Sequence, residues 1–180
     1  VSPADNLEVN IDGLIADLTL DGVGDDTFHH WGAKEALENW LQHNVQDTKA
    51  LTMGHSLGGA LAILTDSFLP EYIQRVYAFG SPGISHKTQS KYAETEPKPQ
   101  VYVFNRQGEI INNAGDCFIG ELYEVETPNN PPNSLLERHC LVKMCQPSFQ
   151  LHKKDIQLIN NSWTRAVTKR VHKYGTYALQ

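Results

Sequence analysis

A serine stands between two glycines in the pentad Gly-His-Ser-Leu-Gly, residues 54–58, directly after the short apolar run KALTM. The run is typical of a buried strand, and the small apolar residues between the pentad and Pro70 are typical of a helix pressed closely against it. In so tight a turn, glycine at both ends relieves crowding. The pentad therefore predicts a strand-turn-helix unit that presents Ser56 at the carboxyl edge of a sheet.

This turn gives Ser56 the setting of a nucleophile elbow. Its hydroxyl is presented at the sheet edge, and the helix N-terminus behind it favours developing negative charge. The backbone N–H of Leu57 is placed to donate to a tetrahedral oxyanion. A plain strand-to-helix turn is the alternative, because loops collect serine and glycine. We predict Ser56 as a nucleophile and the Leu57 N–H as one oxyanion donor.

Short strand patterns alternate with helical patterns along the chain, which favours an α/β architecture with a largely parallel sheet. A helix is predicted over Ala33–Asn44, two further strands at Gln74–Gly80 and Gln100–Asn105, and an irregular loop over Thr127–Ser134. A final amphipathic helix is predicted over Lys153–Tyr174. The first of these helices is expected to pack on the sheet through Leu37, Trp40, Leu41 and Val45.

Length and composition limit what the chain can do. Its 180 residues, 40% of them hydrophobic, suffice for one domain over residues 1–180. A net charge of −6 argues against nucleic acid as the main partner. The three cysteines match no zinc pattern, so no metal is predicted. No apolar run approaches the roughly 18 residues that span a bilayer.

Two segments in order, GHSLGGALA at residues 54–62 and VYAFGSPG at residues 76–83, resemble the class 3 (fungal-type) triacylglycerol lipases. Upstream, IADLTL at 15–20 and TFHHWG at 27–32 are similar to that family's lid segment and the strand exit after it. The resemblance covers the chain from about residue 10 to residue 139. It implies an α/β-hydrolase fold, a Ser-Asp-His triad and hydrolysis of lipid-like esters, for which no cofactor is expected.

The general base follows from chain order, which in this fold is serine, acid, histidine. His139, His152 and His172 remain as candidates. A loop could carry His139 over the sheet edge to Ser56, whereas the other two lie among lysines in the predicted last helix. The family often has an aromatic residue three places after its histidine, and here Val142 stands there. We predict His139 as the base.

The acid has two candidates. Family members place an aspartate a few residues past a strand, in a pattern like Asp-x-Val-Pro, and this chain offers VYVFNRQGEIINNAGD instead. Matching the apolar spacing puts Glu109 at the acid position. Asp116 is the alternative, and both could be ordinary surface carboxylates in a turn.

The resemblance also implies a second oxyanion donor, from a Phe-Arg-Gly-Thr/Ser type motif shortly before the lid. Nothing like that motif lies between Val1 and Asn10. We therefore expect an upstream segment, in the same chain or a separate one, to complete the oxyanion hole, and the chain to be the C-terminal part of a larger unit. Leu14, Ile15 and Leu18 form one helical face of the expected lid, with packing into the core as the alternative.

The leading function is a serine hydrolase that cleaves carboxylic esters of lipids, as a triacylglycerol lipase, phospholipase or esterase, through an acyl-enzyme on Ser56. The alternative is a non-catalytic lipase-like scaffold that binds lipid or protein, and a peptidase or thioesterase is a lesser third. The basic final helix could rest on a membrane or lipid-droplet surface, although a solvated face is commoner. A secreted or membrane-peripheral location is favoured.

Overall fold

The computed structural model describes residues 33–45, 48–96, 98–109, 111–127 and 135–155. The expected lid residues Leu14, Ile15 and Leu18 lie outside these ranges, as does most of the predicted final helix. The elements in chain order are α1 (Ala33–Asn44), β1 (Ala50–His55), α2 (Leu57–Phe68), β2 (Ile73–Phe79), α3 (His86–Glu94), β3 (Gln100–Arg106), a 3₁₀ turn (Ile111–Asn113), β4 (Glu121–Glu126), α4 (Leu135–His139), α5 (Leu141–Met144) and β5 (Gln150–Lys154).

The five strands form one sheet in the order β1-β2-β3-β4-β5. Strands β1 to β4 are parallel, so their carboxyl ends meet at one edge, and β5 runs antiparallel to β4. Parallel neighbours need crossover connections, which α2 provides between β1 and β2 and α3 provides between β2 and β3. This mostly parallel sheet with flanking helices confirms the predicted α/β class. No helix in the described ranges is long and apolar enough to cross a membrane.

The core lies on one face of the sheet. Small and branched side chains at alternate positions of β2 and β3 are at most 2% exposed there, namely Val76, Ala78, Val101 and Val103. Helix α2 packs on β1 and β2 and adds Ile63 to the same apolar cluster. The small residues of α2 therefore press the helix closely against the sheet, as the sequence predicts.

The opposite face carries a ladder of aromatic rings. Tyr77 stacks on Tyr102 with ring centroids 5.5 Å apart, and Phe104 stacks on Phe79 at 5.2 Å and on Tyr123 at 5.4 Å. In-register parallel pairing places these residues side by side on adjacent strands. All five are only partly buried, so the two faces differ in both chemistry and exposure.

The structure corrects the predicted environment of two segments. The run KALTM does form a strand, β1, but Leu51 and Met53 are 52% and 70% exposed. They lie on the aromatic face of a strand whose one described neighbour is β2, so β1 is not buried. Trp40 was expected on the packing face of α1, yet it is 57% exposed while Leu41 fills the core.

The prediction of a helix is wrong at its first residues, Lys153 and Lys154. Lys153 and Lys154 belong to β5, where their amines lie 3.0 Å from the carboxylates of Glu121 and Glu124 on β4. Here the pairing of β5 with β4 overrides the local helical pattern. The sequence pattern does not reveal this pairing, because the two strands are distant in the chain. His152 is exposed, as expected, but on this strand rather than on a helix.

Candidate active site

Ser56 links the last residue of β1 to the first residue of α2 and has φ 59° and ψ −130°. Among the described residues it is the one non-glycine residue with positive φ. Two backbone hydrogen bonds of 2.9 Å hold it: its N–H donates to the carbonyl of Phe79, and its carbonyl accepts from the N–H of Gly59. The side-chain oxygen is buried and has no hydrogen-bond partner in the described ranges. A serine in this strained conformation at a strand-to-helix turn has the geometry of a nucleophile elbow.

The glycines around Ser56 have different roles. A Cβ atom on Gly54 would overlap the carbonyl of Gly58, so no other residue fits there without movement. A Cβ on Gly58 would meet nothing within 4 Å, and the expectation that glycine relieves crowding at both ends is therefore wrong at this position. The second crowded position is Gly59, where a Cβ would lie 2.9 Å from the Cβ of Ser81.

His139 and Glu109 meet at the carboxyl edge of the sheet. Nδ1 of His139, at the end of α4, is hydrogen-bonded to Oε1 of Glu109, which follows β3. His139 is 8% exposed and Glu109 is 1% exposed. The other carboxylate oxygen of Glu109 has no hydrogen-bond partner in the described part of the chain. A carboxylate on Nδ1 fixes the orientation of an imidazole and leaves Nε2 for proton transfer.

Asp116, the alternative acid, follows the 3₁₀ turn and contacts the first residue of α3. Its Oδ2 accepts a hydrogen bond of 3.2 Å from the backbone N–H of His86, and its own N–H donates to Ile84. Of the two candidate acids, Glu109 is the one hydrogen-bonded to His139.

Two arginines tie α4 to the end of β3. The guanidinium of Arg106, which is 4% exposed, donates to the carbonyl of Glu137 at 3.5 Å and to the hydroxyl of Thr127. Arg138 donates to the carbonyl of Gln107 at 3.2 Å. Burial lowers the pKa of Arg106, and the charge of Arg138 acts in the same direction. These bonds fix the segment that ends in the histidine over the turn that carries the carboxylate.

His55 and Gly80 also belong to this site, although sequence reasoning noted His55 only as part of the pentad. Nε2 of His55 lies 2.7 Å from the carbonyl oxygen of His139, and the two ring centroids are 4.6 Å apart. Gly80 has φ 52°, and a Cβ there would lie 3.3 Å from His55 Nε2 and 3.2 Å from Glu109 Oε1. The signal that could have found both is position, because His55 ends β1 and Gly80 directly follows β2 at the shared carboxyl edge of the sheet.

Leu57 is the first residue of α2. Its N–H is therefore one of the amides at a helix N-terminus that lack a partner within the helix. The amide adjoins Ser56 on the chain, and helix N-termini favour negative charge. This position suits the role predicted for Leu57, a donor to an oxyanion formed at Ser56.

The parallel sheet, the crossover helices and the strained serine turn define an α/β-hydrolase. A family model described as Lipase (class 3) matches residues 12–115, which is more than half of the chain. The chain therefore belongs to the class 3 lipase family, a family of lipid ester hydrolases. The matched range includes Ser56 and Glu109 and ends before His139. No curated protein and no solved structure matches the chain.

Proposed function

We propose that the protein cleaves carboxylic esters of lipids through an acyl-enzyme on Ser56. The observation that carries this proposal is the buried His139–Glu109 hydrogen bond at the sheet edge that also holds the strained serine turn. Membership of the class 3 lipases supports a lipid ester as the substrate, within the range of triacylglycerol lipase, phospholipase or esterase.

The proposed reaction begins with Nε2 of His139 taking the proton of Ser56 as the serine oxygen attacks the acyl carbon. Glu109 stabilises the resulting imidazolium through Nδ1, and the N–H of Leu57 donates to the oxyanion. The proton then passes to the leaving alcohol as the ester bond breaks and the acyl-serine forms. Water, giving up a proton to His139, attacks the acyl carbon, and release of the fatty acid returns the proton to Ser56.

The second oxyanion donor is proposed to come from the loop after a strand that pairs with the edge of β1 on which no described strand lies, supplied from earlier in the same chain or by a separate upstream fragment. Two observations support this position. In the described sheet β1 is a terminal strand, and its Leu51 and Met53 side chains are exposed beside the edge. Unpaired strand edges readily accept another strand. Native mass spectrometry of the purified protein tests the separate-fragment version, which predicts an additional bound chain.

A fluorophosphonate probe, which reacts with activated serines, tests the nucleophile. The wild-type protein should be labelled, and Ser56→Ala should not be. Labelling that survives Ser56→Ala would refute the assignment. Complete absence of labelling and of ester hydrolysis in the folded wild type would instead favour the non-catalytic scaffold.

The acid is tested with a matched pair of isosteric variants, Glu109→Gln and Asp116→Asn. Glu109→Gln should lower kcat for a short-chain ester by about a hundredfold or more, because an amide neither carries the negative charge nor fixes the same tautomer of His139. Asp116→Asn should stay near the wild-type rate, since Asp116 caps a backbone N–H at α3. The reverse result would transfer the acid role to Asp116.

A further inference from the structure

His55 connects the strand that ends before the serine to the segment that carries the base. It is the last residue of β1, and its ring reaches the backbone of His139, 84 residues further along the chain. We propose that His55 is a positioning residue that holds His139 in place for Ser56. This inference rests on the proposed function, because it assigns a role in the same site.

The hydrogen bond fixes the tautomer of His55. A backbone carbonyl only accepts, so the 2.7 Å contact requires that Nε2 of His55 carries a proton. The neutral ring then has a free lone pair on Nδ1. His55 thus uses its one N–H to hold the peptide group of His139, while the imidazole of His139 remains hydrogen-bonded to Glu109.

The two imidazole rings also touch, with centroids 4.6 Å apart and planes tilted by 34°. Burial, reinforced by His139, lowers the pKa of His55, whereas the charge of Glu109 acts in the opposite direction. In the described part of the chain, His139 and Glu109 are the titratable groups that act on His55. A neutral His55 lets His139 become charged in the reaction, but a protonated His55 would repel the imidazolium.

The surroundings make His55 a rigid support. It is paired with Phe79 in the parallel ladder, and a Cβ at position 80 would lie 3.3 Å from its Nε2, so Gly80 leaves room for the ring. The residue after it is Ser56, so a single short piece of backbone sets the positions of both the nucleophile and the base. A displacement of about 1 Å between such groups can lower a rate by about a hundredfold.

Two variants separate the hydrogen bond from the ring. His55→Phe keeps an aromatic ring without a donor, and His55→Gln keeps a neutral N–H donor at a similar reach. His55→Phe should lower kcat about tenfold to a hundredfold with little change in KM, and His55→Gln should retain most of the wild-type rate. His152→Phe, at an exposed histidine on β5, is the control and should leave kcat unchanged.

The pH profile adds a readout that general destabilisation would not move. In the wild type, protonation of His55 should steepen the acid limb of kcat/KM, and His55→Gln should show a shallower limb because that group no longer titrates. If His55→Phe does not fold, the comparison of the acid limbs of the wild type and His55→Gln tests the proposal by itself. An acid limb for His55→Gln identical to that of the wild type would overturn the proposal.

NMR of the His139 ring keeps the test independent of turnover. The Nδ1 proton shared with Glu109 should be visible in the wild type and in His55→Gln, and weakened or lost in His55→Phe. Its unchanged presence in a folded, fully active His55→Phe would show that His55 does not position the base. A wild type with no esterase activity would count against the proposed function, while the Nδ1 proton would still decide the role of His55.

Discussion

Ser56 occupies a backbone conformation that costs about 1–3 kcal/mol for a residue with a side chain. The surrounding residues stabilise this conformation: two backbone hydrogen bonds fix the turn, and Gly54 lets the chain pass close to its own backbone. The strain presents the serine at the end of a strand. The strained turn thus lowers the stability of the fold but places the hydroxyl of Ser56 at the sheet edge.

Substitution of the two pentad glycines should therefore change the free energy of unfolding by very different amounts. Gly54→Ala forces a Cβ onto the backbone of Gly58 and should lower the free energy of unfolding by several kcal/mol, on the order of a severe core overpacking. Gly58→Ala places its methyl group in open space within α2 and should be neutral or stabilising by up to about 1 kcal/mol. Urea unfolding measures both, and equal destabilisation would contradict the geometry.

Much of the candidate site follows from the sequence because the pentad, chain order and apolar spacing each point to a residue. Those signals point to Ser56, to His139 and to Glu109 with Asp116 as the alternative acid, and in the structure His139 is hydrogen-bonded to Glu109. The contact between His55 and His139 does not follow from any pattern, because it depends on how a loop crosses the sheet edge. The freedom at Gly58 likewise depends on backbone positions.

At the scale of elements, the strands that the sequence predicts best are those with continuous branched or apolar runs, β2 and β3. Their burial pattern is local and visible in the chain. The exposure of Leu51 and Met53 on β1 depends instead on what lies beside the strand. Strand β5 depends on ion pairs with distant carboxylates of β4. From the sequence alone, the basic residues of β5 are equally consistent with one face of a helix.

The short helix α4 is held in place by hydrogen bonds from arginine side chains. Loss of these hydrogen bonds should therefore lower the rate of ester hydrolysis. Arg106→Lys keeps the charge but loses the forked donors to Glu137 and Thr127. We expect kcat to fall about tenfold and the free energy of unfolding to fall by about 1–3 kcal/mol.

The matched control for this anchor is Arg138→Lys, because Arg138 makes an exposed hydrogen bond to Gln107. It should change the free energy of unfolding by less than about 1 kcal/mol. Stopped-flow hydrolysis and urea unfolding of the two variants provide the comparison. A larger loss of kcat in Arg138→Lys than in Arg106→Lys would show that α4 is held mainly from the exposed side.

At the scale of the whole molecule, the packing of α2 on β1 and β2 is a large part of the described core, and an ionisable group lies within it. Asp66 on α2 is fully buried, and neither of its carboxylate oxygens has a hydrogen-bond partner in the described ranges. Burial raises its pKa to about 7, and Lys49 offsets only part of that shift. The folded core therefore favours the protonated acid.

This acid should make global stability depend on pH. Its pKa is about 7 when folded and 3.8 in the reference state, so between these values the folded protein binds the proton more tightly than the unfolded chain. The free energy of unfolding should therefore fall as pH rises through this window, by up to about 4 kcal/mol from Asp66. Asp66→Asn should remove that decline, while Glu35→Gln, at an exposed position on α1, should keep it. Urea unfolding at several pH values from 4 to 8 measures the slopes, and identical slopes for wild type and Asp66→Asn would mean that the buried carboxyl does not titrate in this range.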